Sequence, residues 1–257
     1  MNALSIKGLT KTYGNGVQAL KEVSLTIPEG DFFALLGPNG AGKTTIIGIT
    51  AGLVNKTGGT VEVFGHDIDK EPEVSKTFIG LVGQEINFNP FERILDTVVN
   101  QGGYYGIPRS IAIPRAKQLL IDVGLGEKIE SNSMQLSGGM KRRLMIARAL
   151  IHQPKFLILD EPTAGVDVEM RRGMWDYLRK LTSAGVTILL TTHYLEEAEQ
   201  LAKHVAIINK GQIIVNDTID KVLGMHTDEG TVKEGYQGSK LEEVFLSLIH
   251  ESNNEKN

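Results

Sequence analysis

The chain contains no cysteine. Disulfides and thiolate metal sites are therefore excluded, and an intracellular protein is the expectation. Long apolar runs are missing too. The densest, FFALL at 32–36 and VTILL at 186–190, are strand-sized and far short of the roughly 20 residues of a membrane helix. The start, MNALSIKGLTKTYG, lacks the basic opening and apolar stretch of a secretory leader. Nor is there an excess of positive charge. The net charge is −4, with Lys and Arg scattered among acids, so no footprint for wrapping DNA or RNA exists and no nucleic-acid partner is expected. No internal repeat is visible, and low complexity is confined to the polar tail SNNEKN. What remains is 257 residues, 41% of them apolar, enough for one large domain or a core with a subdomain but not for two independent cores.

VSLTI at 23–27 alternates apolar and polar residues, the pattern of a strand with one wet face. FFALL, FLILD (156–160) and TILLTT (187–192) are near-continuous apolar runs, as expected of parallel strands covered on both faces by helices. The fold class is therefore α/β. Residues from about 93 to 155 read as mostly helical: PRAKQLLIDV (114–123) stops at Gly124, and GMKRRLMIARALIHQ (139–153) stops before Pro154. After Asp167 a helix carries Met174, Leu178 and Leu181 on one face and ends near Gly185. VAIIN and QIIVN, either side of Lys210 and Gly211, read as a hairpin. A polar, glycine-rich link over 224–239 then leads to an amphipathic helix with Leu241, Val244, Phe245, Leu248 and Ile249 on one face.

Chemistry enters at GPNGAGKT, residues 37–44, which follows the FFALL strand and precedes a helical stretch. Its glycines let backbone N–H groups turn onto phosphate oxygens at a helix N-terminus. Lys43 would reach the β and γ phosphates, and the Thr44 hydroxyl would ligate Mg²⁺. The bland alternative is a glycine-rich turn with no ligand. FLILDEP ends a buried strand with Asp160 and Glu161 adjacent, at the sheet edge where open α/β folds bind ligands. Asp160 would face the Mg²⁺ and Glu161 would serve as general base toward the attacking water, unless both are solvated carboxylates. His193 closes the TILLTTH strand and donates to a γ-phosphate oxygen, orients water or is structural. Gln84 follows the strand FIGLVG and reads equally as a loop amide. Tyr13 stacks on an adenine or covers a sheet face. LSGGM at 136–140 opens a basic helix; alone, Ser137 is a helix N-cap with a flexible approach.

Taken in order, these elements resemble the nucleotide-binding subunit of ATP-binding cassette (ABC) transporters over roughly residues 3–222. The resemblance implies a P-loop NTPase core, a mainly parallel sheet flanked by helices, with an N-terminal antiparallel β subdomain and an inserted α-helical subdomain. Residues 1–92 would form the β subdomain and the first part of the core, 93–155 the helical subdomain, 156–223 the rest of the core, and 224–257 a short link and helix. Tyr13 would be the adenine stacker. Gly37, Pro38, Asn39, Gly40, Ala41, Gly42, Lys43, Thr44 and Thr45 would form the Walker A loop. Gln84 would be the Q-loop residue near the Mg²⁺ held by Thr44 and Asp160. Glu161 would be the catalytic glutamate, AGVD at 164–167 the D-loop, and His193 the switch histidine.

Ser137, Gly138 and Gly139 would be the signature that completes the ATP site of a second copy. An ATP-dependent homodimer follows, along with integral membrane permease subunits that place it peripherally on the cytoplasmic face of the cell membrane. The segment EINFNPF after Gln84, with Phe88, Pro90 and Phe91, would receive a helix of that membrane partner, unless these side chains serve ordinary core packing. LSGGMKRRLMIARAL and ILDEPTAGVD are similar to single-cassette subunits of bacterial exporters of multidrug, antibiotic and polysaccharide type. Three departures stand out: Gly83 where a proline often precedes the glutamine, Met140 in place of glutamine, and a brief link after Met225. Two alternatives are a soluble ABC ATPase acting on a non-membrane partner and a small-molecule kinase. The kinase leaves LSGGM, Gln84 and His193 unexplained.

Overall fold

We describe a computed structural model of the protein over residues 1–224 and 239–254. The chain opens with β1 (Asn2–Thr12) and β2 (Gln18–Pro28), which pair antiparallel, followed by β3 (Phe32–Leu36) and α1 (Lys43–Thr50). Next come β4 (Gly58–Val63), β5 (His66–Asp67), α2 (Pro72–Thr77) and β6 (Ile79–Val82). Three helices follow, α3 (Ile94–Tyr104), α4 (Arg109–Asp122) and α5 (Gly138–Leu150), and they pack on one another. The chain then returns through β7 (Phe156–Asp160), α6 (Val168–Ser183), β8 (Thr187–Thr191), α7 (Leu195–Leu201), β9 (His204–Asn209), β10 (Gln212–Thr218), α8 (Ile219–Gly224) and α9 (Lys240–Asn254).

The strands form two sheets. A four-stranded antiparallel sheet runs β2-β1-β4-β5, and a six-stranded sheet runs β10-β9-β3-β8-β7-β6, parallel except for β10 at its edge. The central runs lack alternation because both faces of each strand are covered. In β3, Phe32, Ala34 and Leu36 join the apolar cluster under the helices, whereas Phe33 and Leu35 join the cluster facing the antiparallel sheet. β7 divides the same way, Leu157 and Leu159 against Phe156 and Ile158. The two clusters are thus the two faces of one sheet. β2, by contrast, buries Val23, Leu25 and Ile27 and leaves Ser24 and Thr26 exposed, as its alternation requires.

The helices depart from expectation at their ends. α4 begins at Arg109, five residues before the expected start, and carries Pro114 inside. So near the N-terminus that proline forfeits a single intrahelical bond, while Ala112, Ala116 and Leu120 bury the helix face. α5 stops at Leu150 because Gln153 takes φ 57, which no α-helix continues through. The link expected from 224 onward lies, over 225–238, outside the described residues.

α9 packs on α7, α8 and β9, with Leu241 and Val244 fully enclosed. Leu241→Ala is expected to cost about 2–5 kcal/mol, the scale for a buried leucine that leaves a cavity. Urea unfolding measures it; an unchanged midpoint would mean that α9 contributes nothing to the fold in solution.

Candidate functional site

Strands β3, β7 and β8 lie side by side in parallel, so their C-terminal ends converge at one edge of the sheet. The loop after β3 is shaped by close packing. A Cβ on Gly37 would lie 2.3 Å from the Ile208 carbonyl oxygen. Gly42 has φ 118 and would meet Leu20 at 2.7 Å, so any side chain at either position would push the loop off the sheet. α1 begins immediately afterward at Lys43. The Lys43 ammonium is buried and donates to the carbonyls of Gly37 (2.7 Å) and Pro38 (3.2 Å). Burial lowers its pKa, and the nearby Glu161 and Asp160 charges oppose that shift.

Asp160, at the end of β7, is 4% exposed. It accepts a hydrogen bond from the Thr191 hydroxyl at 2.5 Å and a longer one from Thr44 at 3.4 Å. Thr191 faces it across the β7–β8 register, a partnership that no sequence motif announced. Glu161 follows with φ 50, a conformation that costs a non-glycine residue roughly 1–3 kcal/mol. Its N–H is held by the Thr191 carbonyl at 3.0 Å. The Glu161 carboxylate meets His193 Nδ1 at 3.2 Å and accepts from Gln84 Nε2 at 3.5 Å. Three residues from three separate loops therefore meet at one carboxylate.

Together these groups line a cavity of about 370 Å³ bounded by Asn39 to Thr45, Ala19, Gln84, Asp160 and Glu161. A larger cavity of about 580 Å³ opens beyond His193, but Glu196, Glu199 and Glu242 line it, and their charge would repel a polyphosphate. Tyr13, 38% exposed, has its hydroxyl 3.2 Å from the Thr45 hydroxyl, which places the ring beside the loop, with Lys11 over it at 4.8 Å. The oxygen set of Thr44 and Asp160 suits Mg²⁺, which takes one or two protein oxygens and completes its shell with phosphate and water. Among the described residues no cluster of three or more His, Asp or Glu side chains offers a self-sufficient metal cage.

Ser137 is the N-cap of α5, its hydroxyl accepting from the Met140 N–H at 3.3 Å. The cap expected from sequence is thus present. Ser137 and Gly138 are exposed and are not among the residues lining the phosphate-loop cavity, whereas Gly139 is buried against Met170 and Val166. The same helix holds residues that sequence reasoning passed over. Buried Arg142 donates to the Gly83 carbonyl at 3.0 Å, and Arg148 grips Asn87 through its carbonyl (3.2 Å) and side chain (2.6 Å). Both guanidiniums have pKa values lowered chiefly by burial. The segment carrying Gln84 is thereby fastened to the helix that Ser137 caps. Neither Arg142 nor Arg148 has a partner visible in the sequence, and only their place in the fold reveals these contacts.

Phe88, expected beside Phe91 on a partner-facing surface, instead packs against the core under Arg148, whose guanidinium lies 6.0 Å from its ring centroid. Phe91 is 74% exposed and Pro90 is exposed.

A family described as ABC transporter matches residues 20–164, more than half of the chain. The chain is 41% identical over 216 residues to a daunorubicin/doxorubicin resistance ATP-binding protein of Streptomyces peucetius, covering 84% of this chain and 65%, just under two thirds, of that protein. It is 38% identical over 225 residues to a Nod factor export ATP-binding protein of Cupriavidus metallidurans, covering 86% and 74%. A linearmycin resistance ATP-binding protein of Bacillus subtilis is 39% identical over 215 residues, covering 84% and 69%. Among solved structures, an ATP-binding subunit of an ABC transporter superposes with a TM-score of 0.82 at 25% identity, covering 96% of this chain and 99% of that one. A dimeric ATP-binding cassette in a post-hydrolysis state, bound to ADP and Pi, has a TM-score of 0.76 at 28% identity, with 84% and 98% covered.

Proposed function

Because this chain belongs to the ABC transporter family, we propose that it binds and hydrolyses ATP as the motor subunit of an exporter, closing as a pair around two ATP molecules. One observation carries the reading. The phosphate-loop cavity gathers Lys43, Thr44, Gln84, Asp160 and Glu161, while the start of α5, at Ser137 and Gly138, is exposed and outside it. An exposed helix N-terminus that lies outside its own chain's phosphate-loop cavity suits the ATP held by a second copy. The dimeric solved relative with ADP and Pi supports the same arrangement.

In this reading Lys43 and the loop N–H groups clamp the phosphates, and Tyr13 stacks on the adenine. Thr44 and Asp160, with Gln84 beside them, would hold a Mg²⁺ that neutralises charge on the phosphate oxygens. Glu161 accepts the proton of the attacking water, and His193, already against its carboxylate, keeps that carboxylate aimed. The γ-phosphate supplies the contact that favours the closed pair, so its loss reopens it. Segment 93–155 acts as the body that carries Ser137 to the partner copy.

Two of the relatives carry names of drug-resistance proteins and one that of an export protein, and export is the direction proposed here. No helix among the described residues is long and apolar enough to cross a membrane. The substrate path would therefore belong to separate permease subunits, which hold this chain at the cytoplasmic face. A groove of about 270 Å³ lined by Leu53, Leu81, Tyr105, Lys76 and Arg148 offers a mixed apolar and basic seat for a permease helix, and Phe91, 74% exposed, offers that helix a separate apolar anchor. Phe91→Asp is expected to leave ATP turnover of the isolated chain within about twofold while transport falls at least about tenfold, the scale of losing one buried aromatic anchor. Equal transport by variant and wild type in membranes holding the permease would refute the seat. Release of Pi without any phosphorylated acceptor tests the ATPase itself.

A further inference from the structure

One carboxylate outside the phosphate-loop cavity is more completely buried than any within it. Glu197, on α7, has no exposed surface. Its Oε2 accepts from the Thr163 hydroxyl at 3.1 Å and its Oε1 accepts from the Trp175 indole N–H at 3.0 Å, and the Thr192 side chain lies near enough to favour its ionised form. The placement of the two threonines is what matters. Thr163 lies two residues after Glu161, and Thr192 lies immediately before His193. The hub thus grips both loops whose ends meet in the 3.2 Å contact between Glu161 and His193.

A second link runs alongside. Arg171 of α6 lies over the Tyr194 ring at 4.3 Å and donates to the Val166 carbonyl at 3.4 Å, joining the residue after His193 to the 164–167 turn. Burying a carboxylate costs free energy even when it is paired, and replacing such groups by neutral ones is often harmless to stability. Here burial raises the Glu197 pKa, against the pull of Thr192, Trp175, Thr163 and the Arg171 charge. What such a group does supply is register, because two oxygens each held by a donor from a different part of the chain admit one arrangement of the elements that carry them.

We propose that Glu197 is a positioning residue for ATP hydrolysis, holding the loop after Glu161 and the loop of His193 in the one register that brings the two side chains together. The role rests on the function proposed above and adds α6 to it. Trp175, the sole tryptophan of the chain, sits on α6 with its N–H on the same carboxylate. It is therefore a built-in optical reporter of the hub.

The experiment compares the full-length wild type with Glu197→Gln, and with Glu197→Ala as the larger truncation. Glutamine keeps the size but offers one acceptor oxygen in place of two, so at least one hydroxyl must let go or reverse. The raised pKa sets the sign of the stability effect. The wild type loses stability as pH rises from the ordinary value of 4.5 through the raised folded value, and the amide does not. Glu197→Gln is therefore expected to melt no lower than wild type at pH 7, yet to lose about tenfold in kcat, with KM for MgATP within about twofold. In wild type, MgATP should change the Trp175 emission, and in Glu197→Gln that change should be lost.

A folded Glu197→Gln with wild-type kcat would overturn the proposal. So would a kcat that falls only in step with melting temperature, or a Trp175 emission indifferent to MgATP in wild type that binds it. Should Glu197→Ala fail to fold, Glu197→Gln decides alone. Wild type that binds MgATP without ever releasing Pi would remove the ATPase reading, and this role with it.

Discussion

Glu161→Gln is expected to bind MgATP with wild-type affinity and hydrolyse it at least about a hundredfold more slowly, the lower end of what a positioned general base contributes. The substitution isolates the proton-accepting role. Glutamine bears the same backbone cost at φ 50, keeps the side-chain length, and can still meet His193 and Gln84 through its amide. With the γ-phosphate retained, the closed pair should accumulate, so ATP should convert the variant from monomer to dimer on size-exclusion chromatography with light scattering. Wild type should pass through that state transiently. Turnover near the wild-type rate would exclude Glu161 as the base and leave its contacts with His193 and Gln84 a structural matter.

An equally large effect separates the two ways Ser137 could act. In a tandem-linked dimer, Lys43→Ala in one copy and Ser137→Arg in the other spoil the same composite site if the signature acts on its partner, leaving one whole site that hydrolyses ATP. With both substitutions in one copy, each site loses a part. Turnover should then fall at least about a hundredfold, the scale of losing one group that stabilises developing charge. If Ser137 served the ATP of its own chain, the pattern would reverse. Because Ser137 also caps α5, Ser137→Arg should cost about 1 kcal/mol of helix stability, and a melting curve of the single variant keeps that separate from turnover.

Much of the nucleotide site was legible because its parts are local. A glycine-rich turn between a buried strand and a helix can be read from eight consecutive residues, and its purpose follows from backbone N–H groups and a helix terminus. Asp160 and Glu161 stood out as acids ending an apolar run. His193 and Gln84 stood apart in the sequence, and the fold brings both to the Glu161 carboxylate. Phe88 carried both a partner-facing and a core reading because an aromatic in a loop looks the same whether its face meets solvent or Arg148. The end of α5 was placed three residues late because Pro154 is a visible stop, whereas the positive φ of Gln153 has no marker in sequence.

The amino-acid sequence by itself determined the α/β class, the central strands, the phosphate loop and the strand-end acids, since these rest on periodicity and on contacts between near neighbours in the chain. Only the tertiary structure decided that Thr191 orients Asp160, that Arg142 and Arg148 fasten the Gln84 segment to α5, and that Glu197 joins the loops of Glu161 and His193. The reason is the same in each case. A hydrogen bond between residues far apart in the chain depends on which strands become neighbours, and neither partner's local sequence carries that information.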